Sequence, residues 1–181
     1  LEYVENKIIE ITSKRNARIA DYFDLVAGTS TGGILSAFYL TPSKSIFEED
    51  SISKYKASEA LEFYVNDGFK IFNQSKKFSW FGLRQLFNAA QYSPKNLEQI
   101  LEKEFNLLYL NELLKPCIIT TYDLQNKNSF FFSSREPREK NRVFYVKDVL
   151  RSTSAAPTYF PPAFIENLAN QTQMINIDGG V

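Results

Sequence analysis

Apolar and polar positions recur along the chain with two different periods, which predict helices and strands in alternation. A helical spacing of apolar residues is found near the start of the chain, over 31–40, over 53–72, after Ser93-Pro94 and over 146–154. Short apolar runs bounded by turn-forming residues predict strands over 22–27 and at CIITTYD, SFFFSS and MINID. Because helices separate most of these strands, the pattern predicts an α/β fold whose ligands bind near the carboxyl ends of the strands.

Length and composition favour one domain that folds without disulfides. The chain has 181 residues, of which 44% are hydrophobic and 23% are charged, as in ordinary globular proteins. The single cysteine excludes an intrachain disulfide. Lys and Arg balance Asp and Glu at 21 each, so the charge gives no reason to expect a nucleic-acid partner. No apolar run approaches the roughly 18 residues that a membrane-spanning helix needs.

One glycine-rich stretch has the form of a nucleophile elbow. The residues from Gly28 to Gly32 match GxSxG, with Ser30 at the centre, and lie between a predicted strand and a predicted helix. Such a turn exposes the serine Oγ, and two glycines without a Cβ allow the strand and the helix to approach closely. The N–H groups at the helix start, that of Thr31 first, would face a developing oxyanion.

Two other interpretations of this stretch remain open. It is also compatible with a purely structural glycine-rich turn that carries a buried serine. A glycine-rich loop that opens a helix can also bind phosphate, as in a nucleotide-binding module. However, GTSTGG fits neither GxxxxGK[ST] nor GxGxxG, which makes phosphate binding the weaker alternative.

A serine nucleophile needs a base, and the chain contains no histidine. A Ser-His-Asp triad is therefore impossible within these residues. A lysine base is suggested only by Ser51-Ile52-Ser53-Lys54, which lies in a polar connection without the companion motifs of SxxK enzymes. Asp178 is the better candidate, because it ends the strand MINID and would lie at the same edge of the sheet as Ser30. The Gly179 and Gly180 that follow would by themselves indicate only a turn.

Taken together, these motifs resemble those of the patatin-like phospholipases. The matching stretches are FDLVAGTSTGGILS around Ser30, STSAAPTYFPP over 152–162, and IDGG ending at Gly180. The resemblance implies a three-layer α/β fold with a mainly parallel central sheet and a nucleophile elbow. It implies a dyad in which Ser30 is the nucleophile and Asp178 is the base, with no cofactor and no metal. The implied reaction is hydrolysis of a fatty-acyl ester in a phospholipid or another lipid, through an acyl-enzyme.

The same resemblance implies that residues 1–181 form a single catalytic domain that is cut at both ends. Members of the family carry a glycine-rich loop with an arginine upstream of the first helix, and its N–H groups form the oxyanion hole. We expect that loop to lie before Leu1, so that Thr31 supplies only part of the hole. The small residues Ser154, Ala155 and Ala156 are expected to let a helix end pack beside the site, without a catalytic role. A catalytically inactive relative that binds lipid is the alternative function.

Contact with a membrane is suggested by one aromatic and basic stretch, residues 69–87. Its aromatic residues, Trp80 and Phe81 among them, are interspersed with basic residues such as Lys77 and Arg84. A surface of this kind can enter the headgroup region of a bilayer, although the same residues could equally cover the sheet. The expected partner is thus a lipid ester, with peripheral membrane contact left open and no nucleic acid. The default location is the cytoplasm, with export as a bacterial toxin as the alternative.

Overall fold

The computed structural model describes residues 1–45, 48, 51–71, 92–135 and 141–181. A short 3-10 turn at Leu110–Glu112 precedes the second strand. The described helices are α1 (Glu2–Thr12), α2 (Ile19–Tyr22), α3 (Thr31–Leu40), α4 (Ala57–Ile71), α5 (Lys95–Phe105) and α6 (Val146–Thr153). The described strands are β1 (Val26–Thr29), β2 (Cys117–Asp123), β3 (Asn128–Ser133), β4 (Ala163–Asn167) and β5 (Thr172–Asp178).

The described strands form one mixed sheet around β2. Strand β1 runs parallel to the first half of β2 and ends with Thr29 beside Thr120. Strand β5 runs antiparallel to the second half, with Asp178 opposite Thr121. Strand β3 pairs with β2 over residues 118–123, and β4 pairs with β5. Because β3 occupies one side of β2 along both halves, β1 and β5 must share the other side.

The α/β class is confirmed, whereas the expectation of a mainly parallel sheet is wrong for the described strands. Only the pairing of β1 with β2 is parallel among them, and the other three pairings are antiparallel. For two of these three pairings the reason lies in the connections. The short turns 124–127 and 168–171 join β2 to β3 and β4 to β5, and a turn of this length permits only antiparallel pairing.

Helices α3 and α6 pack on the same face of the sheet. A Cβ built on Gly33 of α3 would lie 2.9 Å from Cγ2 of Thr153 in α6 and 3.2 Å from Cγ2 of Ile119 in β2. Alternate residues of β2, Ile119 among them, are buried, so this face carries the core. The described residues thus form two of the three expected layers, the sheet and the helices on one of its faces. On the other face of the sheet, Phe131 and Phe164 are exposed.

The hydrophobic pattern predicts some element boundaries better than others. Helix α3 and strand β2 begin and end where the sequence predicts. The strand before the elbow begins at Val26 rather than at Tyr22, because residues 19–22 form the helical turn α2. Strand β4 is not predicted at all, since its five residues follow two prolines and show no clear alternation.

Helix α4 buries a narrower stripe than its sequence predicts. It begins at Ala57 and buries Ala57, Ala60 and Phe63, whereas Leu61 and Val65, which belong to the apolar spacing that predicts this helix, are exposed. The buried residues recur every three positions, which turns the neighbouring apolar positions toward solvent. The helices in the described ranges are too short or too polar to span a bilayer. Residues 72–87 of the aromatic stretch lie outside the described residues, so its membrane contact stays a prediction.

Candidate active site

Ser30 occupies a strained turn between β1 and α3. Its φ of 54° and ψ of −125° lie in a region that residues with a side chain rarely adopt. Its carbonyl oxygen accepts hydrogen bonds from the N–H groups of Gly33 and Ile34, at 3.0 and 3.2 Å. Its own N–H donates to Oγ1 of Thr153 at 2.8 Å. Both backbone polar groups of the serine are thus fixed, while the residue itself is half-buried and the following Thr31 is exposed.

The two glycines of the GxSxG motif have different roles. A Cβ on Gly28 would lie 2.3 Å from the carbonyl oxygen of Gly32 and 2.6 Å from the nitrogen of Gly33, so only glycine fits there. A Cβ on Gly32 would meet nothing within 4 Å, which corrects the expectation that both motif glycines are needed for close approach. The second glycine that the packing requires is Gly33, because α6 crosses beside it.

Asp178 is held at the end of β5 through its backbone and its side chain. Its side chain faces the helices, as does that of Thr121 opposite, and the residue is only 5% exposed. Its N–H donates to the carbonyl oxygen of Ala155 at 3.1 Å. Its Oδ1 accepts a hydrogen bond from the N–H of Gly180 at 2.8 Å, which closes a tight turn. The carboxylate therefore has a defined orientation.

The two glycines after Asp178 press against the end of β1 and against β2. A Cβ on Gly179 would lie 2.3 Å from Oγ1 of Thr120 and 2.6 Å from its carbonyl oxygen. A Cβ on Gly180 would lie 3.9 Å from Cγ2 of Thr29. The hydroxyls of Thr29 and Thr120 are themselves hydrogen-bonded at 2.7 Å. The Asp-Gly-Gly turn therefore packs on Thr120, whose hydroxyl is hydrogen-bonded to the strand end that leads into the elbow.

Strands β1 and β5 meet end to end along one side of β2. The last residue of β1 pairs with Thr120 and the last residue of β5 pairs with Thr121, so the two carboxyl ends occupy neighbouring positions. The sequence predicts instead that both strands end at one edge of a parallel sheet, which is wrong because β5 runs antiparallel to β2. The predicted proximity of Ser30 and Asp178 is nevertheless supported, because one follows β1 and the other ends β5 at this junction.

The end of α6 contacts both candidate residues. Oγ1 of Thr153 accepts the N–H of Ser30, and the carbonyl oxygen of Ala155 accepts the N–H of Asp178. Thr153 and Ala155 are fully buried. The expectation that small residues let this helix end pack beside the site agrees with these contacts. Sequence reasoning does not single out Thr153, because a threonine in a run of small residues has no signal that distinguishes it from ordinary packing.

The lysine alternative lies at the wrong end of α3. The N–H of Lys54 donates to the carbonyl oxygen of Thr41, which follows the last residue of that helix. Ser30 precedes the first residue, and ten helical residues at 1.5 Å each separate the two ends by about 15 Å. The Lys54 ammonium lies 4.7 Å from the centre of the Tyr55 ring. We therefore exclude Lys54 as the base. Within the described ranges, no group of three or more acidic or cysteine side chains is arranged to hold a metal ion.

Comparison with known proteins identifies the family. The family model for patatin-like phospholipases matches residues 8–181, a range that contains both the elbow and the Asp-Gly-Gly turn. The chain belongs to the patatin-like phospholipase family. It is 32% identical to Patatin-17 of Solanum cardiophyllum and 34% and 35% identical to Patatin-07 and Patatin-15 of Solanum tuberosum. Each alignment covers 100% of this chain but only 44% of the relative, so the chain spans less than half the length of the patatins it matches.

Proposed function

We propose that this patatin-like chain carries the catalytic serine and aspartate of a lipid acyl hydrolase. The proposed substrate is a fatty-acyl ester of a phospholipid or of another lipid. The observation that supports the proposal is the end-to-end meeting of β1 and β5 beside β2, since the strained serine turn follows β1 and the buried carboxylate of Asp178 ends β5. Membership of the patatin-like phospholipase family supports the same reaction class.

In the first half of the proposed reaction, Oγ of Ser30 attacks the ester carbonyl and its proton passes to Asp178. The tetrahedral intermediate then collapses, the bond to the alcohol oxygen breaks, and Asp178 returns the proton to the leaving alcohol. In the second half, Asp178 takes a proton from water, which attacks the acyl-enzyme and releases the fatty acid. The serine recovers its proton when that intermediate collapses.

Two features of Asp178 suit it to act as the base. The hydrogen bond from the N–H of Gly180 occupies Oδ1, which leaves Oδ2 as the oxygen to accept the serine proton. A general base must lie within hydrogen-bond reach of the proton that it removes. A carboxylate fixed in one orientation can stay within that reach for both proton transfers of the reaction. Its burial keeps bulk water from competing for the same oxygen.

The start of α3 is the proposed source of oxyanion stabilisation in this chain. Ser30 precedes the first residue of the helix, Thr31, and the N–H groups of the first turn give a helix start a partial positive charge. A negative charge that develops on the ester carbonyl oxygen beside Ser30 would be stabilised by the N–H of Thr31. We propose that this N–H forms one side of the oxyanion hole.

Release of fatty acid from phosphatidylcholine in mixed micelles, measured by mass spectrometry, tests this function. We expect release by the wild-type protein and none by Ser30→Ala or Asp178→Asn. Ser43→Ala and Asp24→Asn make the same chemical changes at exposed positions and should retain activity. Fatty-acid release by folded Ser30→Ala at the wild-type rate would contradict the assignment of the nucleophile.

A catalytically inactive relative that binds lipid would show saturable binding to the same micelles with no fatty-acid release. We also propose that residues 69–87 contribute peripheral membrane contact. Vesicle sedimentation of a double variant, Trp80→Ala with Phe81→Ala, tests this contact independently of hydrolysis. Binding equal to that of the wild-type protein would count against it.

A further inference from the structure

We propose that Thr153 is a positioning residue that holds Ser30 in its reactive conformation. The inference rests on the proposed function, since it concerns the nucleophile of that reaction. Thr153 belongs to α6 and lies 123 residues away from the serine in sequence. Its hydroxyl accepts a hydrogen bond from the backbone N–H of Ser30, so we infer that it acts through that backbone.

The backbone N–H of Ser30 needs a partner outside the sheet. Pairing of β1 with β2 ends at Thr29, and the positive φ of Ser30 turns the chain away from the strand direction at the next residue. A strained conformation of this kind persists only where the surroundings hold it in place. The hydroxyl oxygen of Thr153 accepts a hydrogen bond from the Ser30 N–H at 2.8 Å and so stabilises this conformation.

Thr153 is itself fixed by its second branch. Its methyl carbon, Cγ2, packs against Gly33. A Cβ on Gly33 would lie only 2.9 Å from this carbon, so the methyl group occupies space that the glycine leaves open. A β-branched side chain has few χ1 rotamers, so seating the methyl group against Gly33 also aims the hydroxyl. The residue is fully buried, and water does not compete for the hydrogen bond.

The same helix end also holds the proposed base. Two residues beyond Thr153, the carbonyl oxygen of Ala155 accepts the N–H of Asp178. A change at the end of α6 would therefore shift the nucleophile and the base relative to each other. For this reason we expect Thr153 to affect the rate of the chemical step more than substrate binding.

Three substitutions separate the hydroxyl from the methyl group. Thr153→Val keeps the shape and removes the acceptor, whereas Thr153→Ser keeps the acceptor and removes the methyl. Thr153→Ala lacks both, so its comparison with Thr153→Ser isolates the hydroxyl even if the valine variant fails to fold. Thr41→Val is the matched control, because it removes another buried threonine hydroxyl at the far end of α3.

The first readout is hydrogen exchange of the Ser30 amide, measured by NMR on the labelled full chain. We expect protection in the wild type, Thr153→Ser and Thr41→Val, and a clear loss of protection in Thr153→Val and Thr153→Ala. Unchanged protection of the Ser30 amide in the variants without a hydroxyl would overturn the inference. This readout does not depend on activity, so it stands even if the wild-type serine proves unreactive, a result that would instead refute the proposed function.

The second readout is the rate at which a soluble phosphonate labels Ser30, together with kcat and KM for a short-chain ester. Loss of one hydrogen bond predicts a fall of about tenfold in the labelling rate and in kcat for Thr153→Val, with KM little changed. Thr153→Ser should stay within about threefold of the wild type. A loss in Thr153→Ser together with wild-type rates in Thr153→Val would assign the effect to the methyl packing and contradict a role for the hydroxyl.

Discussion

Gly28 lies so close to Gly32 that a Cβ on Gly28 would be 2.3 Å from the Gly32 carbonyl oxygen. The obstacle is backbone rather than the tip of a flexible side chain, so the clash cannot be relieved by a rotamer change. The opposite holds for Gly32, whose own Cβ would meet no atom within 4 Å. Substitution of these two glycines by alanine should therefore have opposite effects on stability.

We expect Gly28→Ala to lower the free energy of unfolding by at least about 2 kcal/mol, because β1 and α3 must separate to admit the methyl group. Gly32→Ala should leave stability unchanged or raise it by up to about 1 kcal/mol, since alanine favours a helix. Urea denaturation followed by circular dichroism measures both. Equal stability of the two variants would contradict the close packing at the elbow.

Glu5 connects the starts of two helices. Its carboxylate oxygens accept hydrogen bonds from the N–H of Ile19, at 3.3 Å, and from the N–H of Ala57, at 2.9 Å, and the residue is 4% exposed. These residues begin α2 and α4, where N–H groups have no partner within the helix. A single carboxylate therefore stabilises both helix starts.

Glu5→Gln should reduce the free energy of unfolding by about 1–3 kcal/mol, because its NH2 group cannot accept a hydrogen bond and one buried N–H loses its acceptor. Glu10→Gln makes the same change on the same helix. Glu10 pairs with Lys7 at the surface, so we expect an effect below about 1 kcal/mol. Thermal or urea unfolding distinguishes the two, and a smaller loss for Glu5→Gln than for Glu10→Gln would refute the role of Glu5.

The pH dependence of stability should report on Glu104. Burial raises the pKa of Glu104, but hydrogen bonds donated by Lys103 and Tyr55 and the charges of Lys103 and Lys54 outweigh it, so the pKa is lowered. The Tyr55 hydroxyl lies 2.9 Å from the carboxylate. A lowered pKa means that the ionised form stabilises the fold above the unfolded pKa, near 4.3, and that this stability is lost as pH falls through the folded pKa.

Tyr55→Phe removes the hydroxyl and should bring the Glu104 pKa back toward its ordinary value. We expect a loss of about 1 kcal/mol at pH 7, which shrinks as the pH falls below about 4 and Glu104 becomes protonated. Tyr3→Phe, at a position exposed to solvent, is the matched control. Urea unfolding at a series of pH values measures the difference in unfolding free energy between Tyr55→Phe and the wild type. A difference that grows as the pH is lowered would contradict the role of the Tyr55–Glu104 hydrogen bond.

Local chemistry explains which parts of the fold and site are predictable from the sequence. The tight turn at Ser30, the bounds of α3 and the alternation in β2 depend on a few neighbouring residues, and all three agree with the structure. The Asp-Gly-Gly turn after MINID is equally local, and in a chain without histidine it makes Asp178 the candidate base.

The remaining features depend on contacts between distant parts of the chain. An apolar run gives no direction to a strand, so the antiparallel course of β5 beside β2 is not evident from MINID alone. Thr153 meets Ser30 only because α6 crosses beside Gly33, and no local pattern predicts that crossing. The outward position of Leu61 likewise follows from how α4 is rotated against its neighbours.

The central claim is that Asp178 activates Ser30, and covalent labelling with a fluorescent alkyl fluorophosphonate tests it most directly. The wild-type protein, Ser30→Ala and Asp178→Asn would be labelled side by side, with matching melting curves to establish that each is folded. We expect rapid labelling of the wild type, none of Ser30→Ala, and labelling of Asp178→Asn that is slower by about 100-fold or more. Labelling of folded Asp178→Asn at the wild-type rate, or no labelling of the folded wild type, would contradict the claim.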